Sequence, residues 1–204
     1  MRLRHSDGQL VHVAYCTNVH GGEDLDTIIG QLDRFALPVR QHLGASVLGV
    51  GLWLSAPVAR ELAHDPRLTG RLRRELDARG LEVVTLNGFP YMGFQEPVVK
   101  HKVYHPDWTE PARLAYTVDL TEVLAQLLPD DAARGSISTL PLGWRHPWFG
   151  DRQVLAAEQF DRLADHLHAL RSRTGREIRV GIEPELATAG ATFLGNSVLR
   201  GARE

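Results

Sequence analysis

The sequence predicts an α/β protein, a partial (β/α)8 barrel of about five parallel β/α units. Three observations predict it. First, short β-type runs at 11–16 (VHVAYC), 46–54 (SVLGVGLWL), 81–86 (LEVVTL), 135–140 (GSISTL) and 178–183 (IRVGIE) alternate with stretches of helical spacing. Strands separated by helices imply a parallel sheet with crossover connections. Second, the turn after the first run, Thr17-Asn18-Val19-His20-Gly21-Gly22-Glu23, has no GxGxxG. A doubly wound dinucleotide-binding sheet places that fingerprint there. Third, the same turn carries Asn, His and Glu, the kind of polar loop that a barrel sets at the C-terminal ends of its strands.

The helical stretches follow in order. Leu25, Ile28, Ile29, Leu32, Phe35 and Val39 recur at three and four residues and so share one face. Ser55 is placed to cap the next segment, with Pro57 in its first turn. Asp65-Pro66 marks a second start, for a helix burying Leu68, Leu72 and Leu76. Asp107-Trp108-Thr109-Glu110 has capping-box spacing ahead of a helix ending near Leu128. Asp151 opens the last helix, with Phe160, Leu163, Leu167 and Leu170 as its stripe. The long connection 87–107 is of the length that usually serves function.

The chain has 204 residues, whereas a complete barrel runs to about 250. The expected division is therefore a partial barrel over 1–185 and an irregular or disordered tail over 186–204. With strand edges exposed at both ends, an open apolar interior is expected, covered by a partner protein or a second copy. Net charge is -2, and Arg is interleaved with acids, as in RLRRELDAR (71–79). That balance argues against nucleic acid as a partner. The lone Cys16 excludes an internal disulfide framework and fits a reducing compartment. No apolar run approaches a membrane span and no signal-peptide core opens the chain, so a cytoplasmic protein is expected.

Residues that carry chemistry cluster just after the strands. They are Asn18 and His20; Asn87, Tyr91 and Lys100 in the long connection; Ser138 and Thr139; and Glu183 with Glu185. Each has a plainer reading. Asn87-Gly88 is a turn former anywhere, the aromatics Phe89, Tyr91 and Phe94 could anchor a loop, and Ser and Thr are common at strand ends. His166 and His168, two apart on a helix, cannot chelate one ion. HExxH, CxxC and P-loop motifs are absent. Glu183 stands out, because a carboxylate ending the apolar run Ile178, Val180, Ile182 is costly unless paired or bound to a metal. A structural salt bridge satisfies it equally well.

YCTNVHGGE (15–23), LNGFPYMGF (86–94), KVYHPDW (102–108), SISTLPLG (136–143) and GIEPE (181–185) resemble the EboE-type metabolite traffic proteins. These belong to the xylose-isomerase-like, or sugar phosphate isomerase/epimerase-like, TIM-barrel superfamily. The resemblance runs from Val11 to Glu185 in the same order. It implies one divalent metal ion held inside the barrel by acidic and histidine side chains of the later strands, with Glu183 the first ligand. It implies His20 and Glu183 as catalytic groups and Asn18, Asn87, Tyr91, Lys100, Ser138 and Thr139 as binding groups for a small polyhydroxylated or natural-product-precursor metabolite. After Glu185 the chain departs from the pattern, as a truncated barrel would. The remaining ligands would come from strands it lacks, so this chain alone should hold the ion weakly and turnover is in doubt. A non-enzymatic binding or assembly component is the alternative. A DNA-repair endonuclease of the same superfamily ranks last, for want of a basic face.

Overall fold

The structure is a computed structural model and describes residues 1–95, 100–185 and 188–189, the side chain of Lys100 excepted. The chain opens with an antiparallel hairpin, β1 (Arg2–Arg4) and β2 (Leu10–His12). β3 (Ala14–Cys16) follows and belongs to a different sheet. The run 11–16, expected as one strand, is thus divided at Val13, whose N–H donates to Met1 O at 2.9 Å. The cause lies in the charges of the first residues. Arg2 pairs with Glu82 at 2.6 Å and with Asp131, and His12 Nδ1 lies 3.1 Å from Glu82. These pairs hold the hairpin at the N-terminal ends of the parallel strands, where β2 cannot continue along β4.

α1 (Leu25–Gln31) starts behind Asp24, whose Oδ1 accepts from Thr27 N at 2.8 Å. A π turn over Leu32–Ala36 joins it to α2 (Leu37–His42). Pro38 has no N–H to offer and would clash with the carbonyl four residues back. The wider turn, in which Leu37 N donates to Leu32 O, accommodates it. β4 (Leu48–Trp53) leads into α3 (Ala56–His64). Ser55 holds the cap position, but its Oγ is buried without a partner among the described residues. The Ala56 N–H goes to Tyr91 O at 2.8 Å instead, and Pro57 removes another donor. α4 (Pro66–Ala78) is capped by Asp65 as the sequence predicts, through Arg67 N at 2.9 Å.

β5 (Leu81–Asn87) is followed by the long connection and then α5 (Pro111–Leu127). The capping-box pattern at 107–110 closes a turn before the helix rather than capping it. Glu110 Oε1 accepts from Asp107 N at 2.9 Å, and Asp107 Oδ1 from Thr109 N at 2.9 Å. The helix itself begins at Pro111, which suits a first helical position. β6 (Arg134–Thr139), the short β7 (Gly143–Trp144), α6 (Gly150–Thr174) and β8 (Glu177–Ile182) complete the main elements. Two residues of the expected tail, Thr188–Ala189, form β9 and pair antiparallel with β7. The rest of the expected tail lies outside the described residues.

β3, β4, β5, β6 and β8 make a five-stranded, all-parallel sheet, and their spatial order is their chain order. The order never reverses, as it would at the switch point of a doubly wound sheet. Strand alternation assigns the two faces. Val50, Leu52, Val83, Leu86, Ile137, Ile178 and Val180 pack with helix residues such as Leu62, Leu72, Leu120 and Leu124 in one core. The other face carries the hydrogen-bonded row Cys16, Gly51, Thr85, Ser136 and Arg179. Cys16, Ser136, Arg179 and Gly181 are exposed, and nothing lies within 4 Å of where a Cβ on Gly181 would sit. The open face is therefore small and polar, not the apolar interior expected. Apolar side chains alternate with small or polar ones and turn to the helices, except Trp53, which follows Gly51 on the other face and packs edge-on against Phe94.

Candidate functional site

The site begins with backbone carbonyls that need partners. The segment after β5 leaves the sheet through Gly88, whose N–H donates to Ser138 O at 2.8 Å. A Cβ there would lie 2.9 Å from that same oxygen and 2.9 Å from Leu120 Cδ1, so only glycine fits. The next carbonyls turn inward, where each must be satisfied. Arg113 on α5, 0 % exposed, donates through Nη1 to Gly88 O at 2.9 Å and Phe89 O at 3.2 Å. Its Nε donates to Pro106 O at 2.8 Å, tying the two ends of the long connection together. Trp53 Nε1 and the Tyr116 hydroxyl both donate to Pro90 O, at 2.9 and 3.1 Å. Burial holds the Arg113 guanidinium below its usual range, at about 10.

This frame shapes a cleft of about 280 Å³ at the C-terminal ends of the strands, lined by Asn18, Asn87, Phe89, Pro90, Phe94, Val103, Tyr104, Glu183 and Glu185. Asn18 follows β3, Asn87 ends β5, and Glu183 follows β8, with its N–H donating to Thr139 O at 2.9 Å. The Asn87 side chain is engaged locally, its Oδ1 accepting from Phe89 N at 3.0 Å, the turn that Asn-Gly predicts. The Tyr104 hydroxyl donates to Glu185, and burial together with that carboxylate pushes its pKa up to about 12. The connection also reaches across to the loop after β3. Gly93 N donates to Glu23 Oε1 at 2.6 Å, and Gln95 Nε2 to Asn18 O at 2.8 Å.

Of the residues singled out from sequence, Asn18, Asn87 and Glu183 thus meet in one cleft. Ser138 is the sheet neighbour of Asn87 and half-buried. Thr139 turns the other way and is fully buried, its Oγ1 without a partner among the described residues. Tyr91 packs edge-on against Tyr116, with ring centroids 5.2 Å apart, beside α3 and α5. His20 lines a separate groove against Phe35. Lys100 begins a 3-10 turn, Lys100–Tyr104, and its side chain lies outside the described residues.

Arg113 is the contributor that the sequence reading missed; Tyr104, in the long connection, and Glu185, grouped with Glu183, were read as lying on the rim but were given no role of their own. Glu185, two residues beyond Glu183, shares its cleft. Arg113 precedes Tyr116 and Leu120 by three and seven residues, so helical spacing alone puts it on the buried stripe of α5.

A second group, His105, Asp107 and Glu110, holds ligand-type atoms within 4.8 Å of one another. Its charge is already matched, because the buried Asp107 carboxylate accepts from Arg152 Nη2 and from Thr109 Oγ1. His105 Nδ1 lies 3.2 Å from Glu110. These bonds make it a structural turn.

No protein-family model matches the chain, and neither curated proteins nor solved structures show a significant similarity to it. No helix among the described residues is long and apolar enough to cross a membrane.

Proposed function

We propose that this chain is an EboE-like, xylose-isomerase-like protein built from five units of a (β/α) barrel, and that its rim cleft binds a small polyhydroxylated metabolite. The observation that carries the reading is the convergence of Asn18, Asn87 and Glu183, from three strand ends, on one cleft that Glu185 and Tyr104 complete. Sequential strand order supports the barrel, whose sites lie at the C-terminal ends of the strands. The amide of Asn18 and the two carboxylates are suited to hydroxyl groups, and Phe89 and Phe94 to the C–H groups of a polyol. In this reading the setting is cytoplasmic and a partner or second copy covers the outer edges of β3 and β8.

A divalent ion belongs to the same proposal. The carboxylates of Glu183 and Glu185 are the oxygen donors that such an ion prefers, and Glu185 also has its Tyr104 hydrogen bond to keep it oriented. An ion bound there would polarise a carbonyl or hydroxyl of the metabolite. A second reading, a binding component without turnover, is favoured by one observation: His20 lines a different groove, so the cleft holds no imidazole among its described residues.

Calorimetric titration with Mn2+ and then xylitol tests both. The proposal expects Mn2+ to bind, Glu183→Gln to abolish that binding, and Asn18→Ala to weaken xylitol. Xylitol binding without Mn2+ selects the second reading. Binding of neither to a folded chain refutes the cleft as a metabolite site.

A further inference from the structure

We propose that the groove between the loop after β3 and the π turn is a binding site for a small oxyanion, a phosphoryl or carboxylate group, held by Arg34, Gln31 and His20. The groove measures about 480 Å³ and is lined by Val19, His20, Gly21, Thr27, Gly30, Gln31, Arg34 and Phe35. It contains a cation, an amide and an imidazole, and no carboxylate among its described lining residues. Among the described residues Arg34 has no ion pair; its guanidinium lies over the Phe35 ring, 5.0 Å from the centroid. The π turn presents Phe35, and the ring stacks on His20 with centroids 3.7 Å apart and planes 5° off parallel. On its other side His20 Nε2 is 2.5 Å from the Tyr15 hydroxyl, which fixes the imidazole and leaves Nδ1 for a ligand. Gly30 would meet nothing with an added Cβ, so the groove is open along α1.

The charges around His20 support the assignment. Burial, and after it the charge of Arg34, hold the His20 pKa below its usual value. The neighbouring acids are engaged elsewhere, Glu23 with Gly93 N and Asp24 with Thr27 N and Oγ1. Tyr15 from β3 and Arg34 from the π turn are the titratable groups that face the imidazole. An anion in the groove would offset both the burial and the Arg34 field and raise the His20 pKa. By linkage, the same anion must then bind more tightly as pH falls through the His20 titration.

The test is an NMR pH titration of the histidine ring resonances, with the His20 signal assigned from His20→Gln, in chloride buffer and again with inorganic phosphate or acetate added. The expected result is an upward shift of the His20 pKa with one of the two anions. Arg34→Gln should remove that shift and weaken the anion about tenfold, as loss of one charge-assisted hydrogen bond implies. A response to phosphate but not acetate assigns a phosphoryl ligand, and the reverse assigns a carboxylate. A His20 pKa unmoved by either anion, in a chain whose other resonances show it folded, overturns the proposal. The rim cleft is read by Mn2+ and xylitol, so failure here leaves that reading untouched.

Discussion

Replacing Arg113 with Met should be among the most destabilising single changes in this chain, because the guanidinium hydrogen-bonds both ends of the long connection, through Gly88, Phe89 and Pro106. The side chain is fully buried and makes its hydrogen bonds to three carbonyls. A hydrogen bond with one charged partner contributes about 1.5–3 kcal/mol, and a buried carbonyl left unpaired costs about 1–3 kcal/mol. Against these stands the desolvation of the charge, visible in the lowered Arg113 pKa. Met restores much of the buried volume and removes the desolvation cost, yet satisfies none of the carbonyls. With three carbonyls left without this donor, the net loss after the relieved desolvation should be roughly 2–5 kcal/mol. A domain of this size has ~5–15 kcal/mol to lose, so the variant should fold with a markedly lower urea midpoint. Arg113→Lys keeps the charge but not the planar fork, and should fall between the two. Equilibrium urea unfolding followed by Trp fluorescence checks this, since Trp53 and Trp108 are both buried. The reasoning fails if Arg113→Met unfolds within about 1 kcal/mol of the parent at equal m-value, the level of an ordinary substitution.

Two further outcomes follow from the same frame. Gly88→Ala forces a methyl against Ser138 O and Leu120 Cδ1, both at 2.9 Å; since a backbone oxygen cannot rotate away, thermal unfolding should show a loss of ~1–3 kcal/mol, the usual cost of overpacking. Tyr104 titrates near 10 when unfolded and about 12 when folded, so the folded state binds more protons in between. The stability it contributes is complete below pH 10 and lost as pH rises toward 12, and Tyr104→Phe should flatten that part of an alkaline denaturation curve. An unchanged slope would mean that the Tyr104–Glu185 contact does not persist in solution.

How much of this was legible in the sequence depends on which interactions decide each element. The strands and helices of the parallel sheet follow from local periodicity, and all five strand runs and every long helical stretch reappear near their expected places. Elements decided by distant partners were not visible. The break at Val13 depends on Arg2 reaching Glu82 and Asp131, 80 and 129 residues away. The π turn depends on Pro38 but also on room for Phe35 against His20. In the site, Asn18, Asn87 and Glu183 were legible because strand ends gather on one rim whatever the side chains do. His20 was not separable from them, since one turn carries Asn18 and His20 and only the fold sends them to different cavities. Arg113 was hidden by its charge, which normally marks an exposed position.

An apolar interior was expected on the open sheet face, although the strand alternation argues for the small and polar one observed, and this bears on what the cleft can hold. IRVGIE alternates Ile, Val and Ile with Arg, Gly and Glu, and SIST alternates in the same way. A strand covered on both faces by helices would read as a continuous apolar run instead. The row Cys16, Gly51, Thr85, Ser136 and Arg179 offers little area for a second helical layer to bury, and its Ser136 and Thr85 hydroxyls, 3.0 Å apart, already bond to each other. Closed barrels usually fill their interior with bulky branched side chains. Small and polar residues in those positions would leave a hydrated space instead. The rim cleft stands at the C-terminal edge of this face, with Asn87 and Glu183 continuing the rows that begin at Thr85 and Arg179. A ligand seated there would meet hydroxyl, amide and carboxylate groups along one side and the Phe89 and Phe94 rings along the other. That division matches a polyol whose hydroxyls face one side and whose C–H groups pack on the rings, and it is the physical reason to titrate the cleft with a sugar alcohol before an apolar compound.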